Sequence, residues 1–299
     1  MASSTLPSNG RLVDIGTHSL ALYTHGPEPS SSKDPVVLFI SGVASDASTG
    51  KPWCGCWCSP LAPSAENIAL ELSLLIEKAP IPNPLVLVGH SWAGVLVHEY
   101  IALKGTDQIA GLVFVDANHE TAPLVMDVND PNLWTVAAGV EPYSAWGVEA
   151  EHKLTQEEWY AFRAAETAEK FKLIEHKEDE NYRPSFETLR KKELSKKQPL
   201  IGNKPVYVIG GTRSRDWSGL YKAGVAKGNG TEEQRSYVRD LIKTVDAKNE
   251  GLMKEFLKLS TKSELVFATE SGHFVQLTQP EIVVDGVKWV YITSQHLLS

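Results

Sequence analysis

Cysteine is scarce in this 299-residue chain: three occur, all within Cys54-Gly55-Cys56-Trp57-Cys58. An odd number in one cluster makes no disulfide framework, and no second Cys or His cluster completes the four ligands of a structural zinc site. No metal is therefore expected, and the three thiols count as loop residues. Long apolar runs are also missing, and none approaches the ~20 residues that a membrane span needs. So is a basic excess. Lys and Arg number 29 against 37 Asp and Glu, a formal net charge of −8, which excludes partners that select a basic face, namely nucleic acid and anionic membrane. Met1 to Gly10 lacks the basic start and apolar centre of a secretory leader. The expectation is a cytoplasmic protein, with the sequon Asn229-Gly230-Thr231 unused. No internal repeat is visible.

What is present is an alternation of short β-rich runs with helical patterns. Arg11–Ile15 and Ser19–Thr24 flank a Gly16-Thr17-His18 turn and predict a hairpin. Pro35–Ile40 and Ile109–Val115 are continuous apolar runs of the kind buried on both faces of a parallel sheet, and Leu85–Val88, Pro205–Ile209 and Glu264–Ala268 are further strand-like runs. Between them lie helical segments. Ile68, Leu72, Leu75 and Ile76 repeat at helical spacing within Ser64–Ala79, a second helix runs through Val95, Tyr100 and Leu103, and Gln279–Tyr291 closes the chain. Strands alternating with helices imply a parallel α/β sheet joined by crossovers. Residues 118–200 change character, being rich in charge, Trp and helical pattern. They are read as a helical lid inserted into one α/β core made of residues 11–117 and 201–294. Thr155 and Thr231 each open a capping box there and beyond. Lys191-Lys192 and Lys196-Lys197 read as a solvated helix face. Trp134, Trp146 and Trp159 suggest an aromatic-lined pocket under the lid.

The chemistry concentrates at Gly89-His90-Ser91-Trp92-Ala93-Gly94, directly behind the Leu85–Val88 run. Small-x-Ser-x-small between a strand and a helix is the pattern of a nucleophile elbow, a turn so tight that bulky neighbours two residues away would clash. It lifts the Ser91 hydroxyl out of the sheet, where a base can take its proton. Ala93 stands at the second small position in place of the usual Gly.

A serine hydroxyl needs a base, and the base needs an orienting acid. His273, in Ser271-Gly272-His273 after the last strand, is the candidate base; the other eight histidines lie on helices, in the hairpin, in the lid or tail, or (His90) packed before the elbow. Two acids satisfy the chain order: Asp116, which ends the strand after the elbow helix, and Asp216, five residues beyond Gly211 in a Thr-Arg-Ser-Arg loop. Asp116 is preferred because it emerges at the sheet edge, and Asp216 stays open, with Arg215 beside it as a surface ion-pair partner. Two backbone donors are needed for an oxyanion. Trp92, next to the nucleophile, supplies one. Val43, behind Ser41-Gly42 in the loop after Pro35–Ile40, is placed by position as the other.

With these motifs the chain resembles the α/β-hydrolase superfamily, in its lidded serine-hydrolase branch of esterases, lactonases and C–C hydrolases. The matches are Ser41-Gly42 for the usual His-Gly of the oxyanion loop, the Ser91 elbow, and Ser271-Gly272-His273-Phe274 for the base loop. The resemblance implies a mostly parallel sheet, no cofactor and hydrolysis through an acyl-enzyme; the tryptophans of the lid suggest a small apolar or aromatic substrate, and the oligomeric state stays open. A Ser at the elbow argues against the epoxide-hydrolase and dehalogenase branches. One departure stands out. The family normally places another strand and a Gly-rich loop between the oxyanion loop and the elbow, yet Ala44–Pro63 holds no strand-like run, so one core strand is expected to be missing. Two readings follow: a serine hydrolase of ester, thioester or lactone bonds, or an impaired, non-enzymatic hydrolase-like protein.

Overall fold

The computed structural model describes residues 9–43 and 61–298. β1 (Gly10–Asp14) and β2 (Ser19–Tyr23) form the expected antiparallel hairpin, as a small sheet of its own. Five further strands make the main sheet: β3 (Val36–Ile40), β4 (Leu85–His90), β5 (Ile109–Val115), β6 (Val206–Gly211) and β7 (Ser263–Ala268). They lie in sequence order, and every neighbouring pair is parallel. This is the parallel α/β sheet that the alternation predicts, and it agrees with the α/β-hydrolase fold class that the resemblance implies.

The apolar runs of β4, β5 and β6 are buried on both faces because side chains alternate across a pleated strand. Leu85, Leu87, Leu112, Phe114, Val206 and Val208 join one core, shared with α1 (Ala65–Lys78), α2 (Ala93–Lys104) and, further along the chain, Val245 and Phe256. Their alternates Val86, Val88, Val113, Val115, Tyr207 and Ile209 point into a second core, where Val283 and Val290 meet them. α2 is buried along Ala93–Ile101 without a polar face, as expected of a helix enclosed on all sides. Ser64 caps α1 by accepting the Asn67 N–H at 3.3 Å. The hairpin lays Val13, Ile15, Leu20 and Leu22 against Leu75 of α1 and Ala79 at its C-terminal cap, so it covers a helix instead of extending the sheet.

Between β5 and β6 the chain is helical: α3 (Ala122–Val125), α4 (Pro131–Val136), α5 (Pro142–Ala145), α6 (Val148–Glu151), α7 (Gln156–Thr167) and α8 (Glu169–Lys191), then a 3-10 turn at Leu194–Lys197. α9 (Arg213–Ala226) and α10 (Glu232–Leu257) separate β6 from β7, and α11 (Val275–Thr278) and α12 (Pro280–Leu298) follow it. The capping boxes at Thr155 and Thr231 open α7 and α10, with both reciprocal bonds made.

Three expectations need correction or restriction. α12 runs beyond Tyr291 to Leu298, and its polar residues there are bonded: the Ser294 hydroxyl donates to the Tyr291 carbonyl, and the Gln295 amide reaches Asp34 Oδ1 at 3.2 Å. Lys192 is not simply a solvated lysine, since its ammonium pairs with the buried carboxylate of Glu99 on α2. The expected gap in the sheet is seen only in part. Among the described residues no strand lies between β3 and β4, and residues 44–60, which hold Cys54, Cys56 and Cys58, are outside them.

Candidate active site

Ser91 and Asp116 follow the ends of two adjacent parallel strands, whose last paired residues are His90 and Val115. Both adopt left-handed backbone, with φ of 57° at Ser91 and 40° at Asp116. Such a conformation costs an L-residue with a side chain about 1–2 kcal/mol and persists only where the surroundings enforce it. Here they do. The Ser91 N–H donates to the Val115 carbonyl at 3.3 Å, and the Ser91 carbonyl accepts the Asn118 N–H at 2.7 Å and the Gly94 N–H at 3.1 Å. The Asp116 N–H donates to the Ile209 carbonyl at 2.7 Å. Position 94 must be glycine, because a Cβ there would sit 2.4 Å from the Asn118 carbonyl oxygen. Ser91 thus sits at positive φ between β4 and α2, the local geometry that the elbow reading expects.

The loop after β3 closes on the same point. A Cβ on Gly42 would lie 2.7 Å from Ser91 Cβ and 3.2 Å from its Oγ, so this backbone abuts the serine, with Val43 next in chain. On the other side, Trp92 is buried and its indole N–H donates to Ser185 Oγ of α8 at 2.9 Å.

The structure separates the two candidate acids. Asp116 Oδ2 meets His273 Nδ1 at 2.8 Å, whereas Asp216 Oδ2 accepts the backbone N–H of His273 at 2.7 Å. Asp216 lies in the first turn of α9, not in a loop, and it is buried instead of surface-paired. Its neighbour Arg215 turns away, pairing with Glu151 and donating to the Glu270 carbonyl at 2.7 Å.

Asp116 is fully buried and surrounded by donors. The Gly211 N–H and the Asn249 amide reach Oδ1 at 3.0 and 2.9 Å, and Arg213 Nε lies 2.7 Å from Oδ2. Burial by itself raises a carboxyl pKa, but the Arg213 charge, the His273 bond and the Gly211 N–H outweigh it and hold Asp116 ionised well below the usual carboxylate range. Asp216 goes the other way: burial, only partly offset by the His273 N–H and by Arg213, pushes it up to about 7. His273 is held below the ordinary imidazole value by burial and by the Arg213 charge, against the opposing pull of Asp116.

Sequence reasoning missed three residues here. His90, read as packing, is buried with its ring 4.4 Å from that of His273. The Gln276 amide donates to its Nδ1 at 3.3 Å, which leaves Nε2 to donate to the His273 carbonyl at 2.9 Å. Burial, followed by the charge of His273, keeps it well below the ordinary value and hence neutral. Asn249 also donates to the Gly211 carbonyl at 3.1 Å, tying α10 to the end of β6. It stands among the buried positions Val245, Leu252, Met253 and Phe256, and an amide on that apolar stripe was its legible signal. Arg213 carried no signal.

Ser91 and His273 line one cavity, enclosing about 620 Å³ with its open mouth. Its walls include Trp134, Trp146, Trp217 and Phe274, with Arg213 and Asp216 among the polar groups. Trp159 does not reach it; it stacks on His152 at 4.3 Å. With Nδ1 of His273 committed to a buried carboxylate, Nε2 is the ring nitrogen outside that pair. No His, Cys, Asp and Glu grouping suited to a metal occurs among the described residues, and no helix among them is long and apolar enough to cross a membrane.

Residues 6–286 match the sequence model of the alpha/beta hydrolase family. The chain is 28% identical over 313 residues to a protein of Hormonema carpetanum described as a probable transporter, efuK, covering 96% of this chain and 43% of that one. It therefore spans less than half the length of that relative. It is 26% identical over 232 residues to an AB hydrolase superfamily protein of Gibberella zeae, covering 75% of this chain and 70% of the other. Among solved structures, a thermophilic esterase from Thermogutta terrifontis shares the fold at 13% identity and a TM-score of 0.52, over 96% of this chain and all of that one. With the parallel sheet, the strained serine and the buried Asp116–His273 pair, the family match identifies the chain as a member of the alpha/beta hydrolase family.

Proposed function

We propose that this protein is a serine hydrolase that cleaves an ester, thioester or lactone bond of a small to mid-sized metabolite. The observation that carries the reading is the convergence on one cavity of a serine held at φ 57° and a histidine whose Nδ1 is fixed on a buried carboxylate. Ser91 Oγ attacks the carbonyl carbon while His273 Nε2 takes its proton, and Asp116 stabilises the resulting imidazolium. The backbone N–H groups of Trp92 and Val43 are assigned to the developing oxyanion, supported by the contact of the Gly42 loop with Ser91. The intermediate collapses with His273 returning the proton to the leaving alcohol or thiol. Water then enters by the same general-base route, and the acid and free Ser91 are released.

Asp216 is assigned to positioning the His273 backbone, and His90 to bracing the same loop. The helices of residues 118–200 act as a lid on a single α/β domain, and Trp134 and Trp146 in the cavity wall support an apolar or aromatic substrate. The non-enzymatic reading rests on the missing strand-like run in Ala44–Pro63 alone. Replacing Ser91 by Ala tests the choice: hydrolysis of p-nitrophenyl acetate or butyrate is expected to fall by at least ~10³, and unchanged turnover would sink the assignment.

A further inference from the structure

Arg213 places a permanent cation in the wall of the cavity shared by Ser91 and His273, although the residue is only 6% exposed. Its Nε is engaged by Asp116 Oδ2. Its two terminal nitrogens donate to no acceptor among the described residues, and of the three guanidinium nitrogens only Nε is sealed from solvent. The terminal fork is therefore offered to the cavity. A guanidinium is planar, always charged, and shaped to grip a carboxylate through two parallel N–H···O bonds. Water that reaches these donors does not match the two parallel charge-assisted bonds of a carboxylate, so a ligand that supplies one gains on binding.

We propose that Arg213 reads a carboxylate on the substrate, so that the bond cleaved belongs to a half-ester or to another ester that carries a free carboxylate. This rests on the reading of Ser91 as nucleophile. The scissile carbonyl lies at Ser91, the carboxylate lies on the Arg213 fork, and the linking part runs along Trp146, Trp217 and Phe274. A single negative charge suits the site better than a phosphate dianion, because Asp116 and Asp216 flank the guanidinium.

Two measurements test this. The first is calorimetric binding to Ser91→Ala protein of the monomethyl esters of C4 to C8 dicarboxylic acids, set against methyl esters of fatty acids of equal length. At least one half-ester is expected to bind roughly 10-fold or more tighter than its neutral counterpart. That preference is expected to disappear in Ser91→Ala/Arg213→Gln and to return partly with Arg213→Lys. Should the Arg213 variants fail to fold, the comparison in Ser91→Ala protein decides alone. The second is the kcat/KM ratio of the same pairs with the unaltered enzyme, expected to favour the half-ester. Turnover of neutral esters with no carboxylate preference in either measurement overturns the Arg213 assignment and leaves the hydrolase reading standing. Half-esters bound through Arg213 but never cleaved overturn the hydrolase reading and leave the carboxylate site.

Discussion

Arg213 Nε stands 2.7 Å from Asp116 Oδ2, the same oxygen that holds His273 Nδ1 at 2.8 Å. One carboxylate thus serves a permanent cation and a titrating base together. The cation disfavours the imidazolium and, with burial, lowers the His273 pKa. The proposed mechanism requires neutral His273, so the acid limb of kcat/KM is expected below the ordinary imidazole value of about 6.5. Removing the charge with Arg213→Gln restores stability to the imidazolium, so the limb moves to higher pH while the maximum rate falls. A limb that stays in place or moves down counts against the shared-carboxylate arrangement.

Asp216 gives the opposite sign in stability. Its pKa is raised from 3.8 to about 7 by burial, so its folded form holds a proton that the unfolded chain releases earlier. The contribution is fully present below about pH 4 and is lost as pH rises through 7. Asp216→Asn keeps an acceptor for the His273 N–H and cannot ionise. Denaturant melts at pH 5 and pH 8 are expected to show the variant gaining on the wild type at the higher pH, by at most ~4 kcal/mol. An equal difference at both pH values would remove the buried-acid explanation.

Gly42 tests the packing of the β3 loop on the serine. A methyl group at 2.7 Å from Ser91 Cβ must push either the loop or the nucleophile aside. Gly42→Ala is expected to lower kcat by about 10²-fold or more, with a much smaller loss of thermal stability. Wild-type turnover in this variant would mean that the loop does not bear on the site.

The Lys192–Glu99 pair tests how the helical segment is fastened to the core. Glu99 is 2% exposed, and burial raises its pKa against the pull of Lys192. Lys192→Met leaves that carboxylate without its cation and is expected to cost about 1–3 kcal/mol, discounted from the fully buried case because Lys192 is partly solvated. Adding Glu99→Gln is expected to recover most of the loss. A double variant as unstable as the single one would show that the ion pair is not what matters.

The fold was largely legible because its cues are local. The strand runs Leu85–Val88 and Ile109–Val115, the capping boxes at Thr155 and Thr231, and the strand–serine–helix pattern at Ser91 each specify geometry within a few residues. Asp116 was preferred over Asp216 for a local reason as well, its place at a strand end. What escaped depends on contacts between distant segments. Arg213 reaches Asp116 across the β5–β6 junction, Asn249 arrives from α10, and Lys192 crosses from α8 to Glu99; no spacing within one segment encodes these. The role of His90 was hidden because its partner is a backbone carbonyl, which leaves no mark on residue identity.

The central claim, that Ser91 is an activated nucleophile in an intact site, is tested most directly by labelling the folded protein with a fluorophosphonate and mapping the modified peptide. The account predicts one adduct, on Ser91, lost in Ser91→Ala and strongly slowed in His273→Ala. A cooperatively melting protein that takes up no label, or takes it up on another residue, would contradict it.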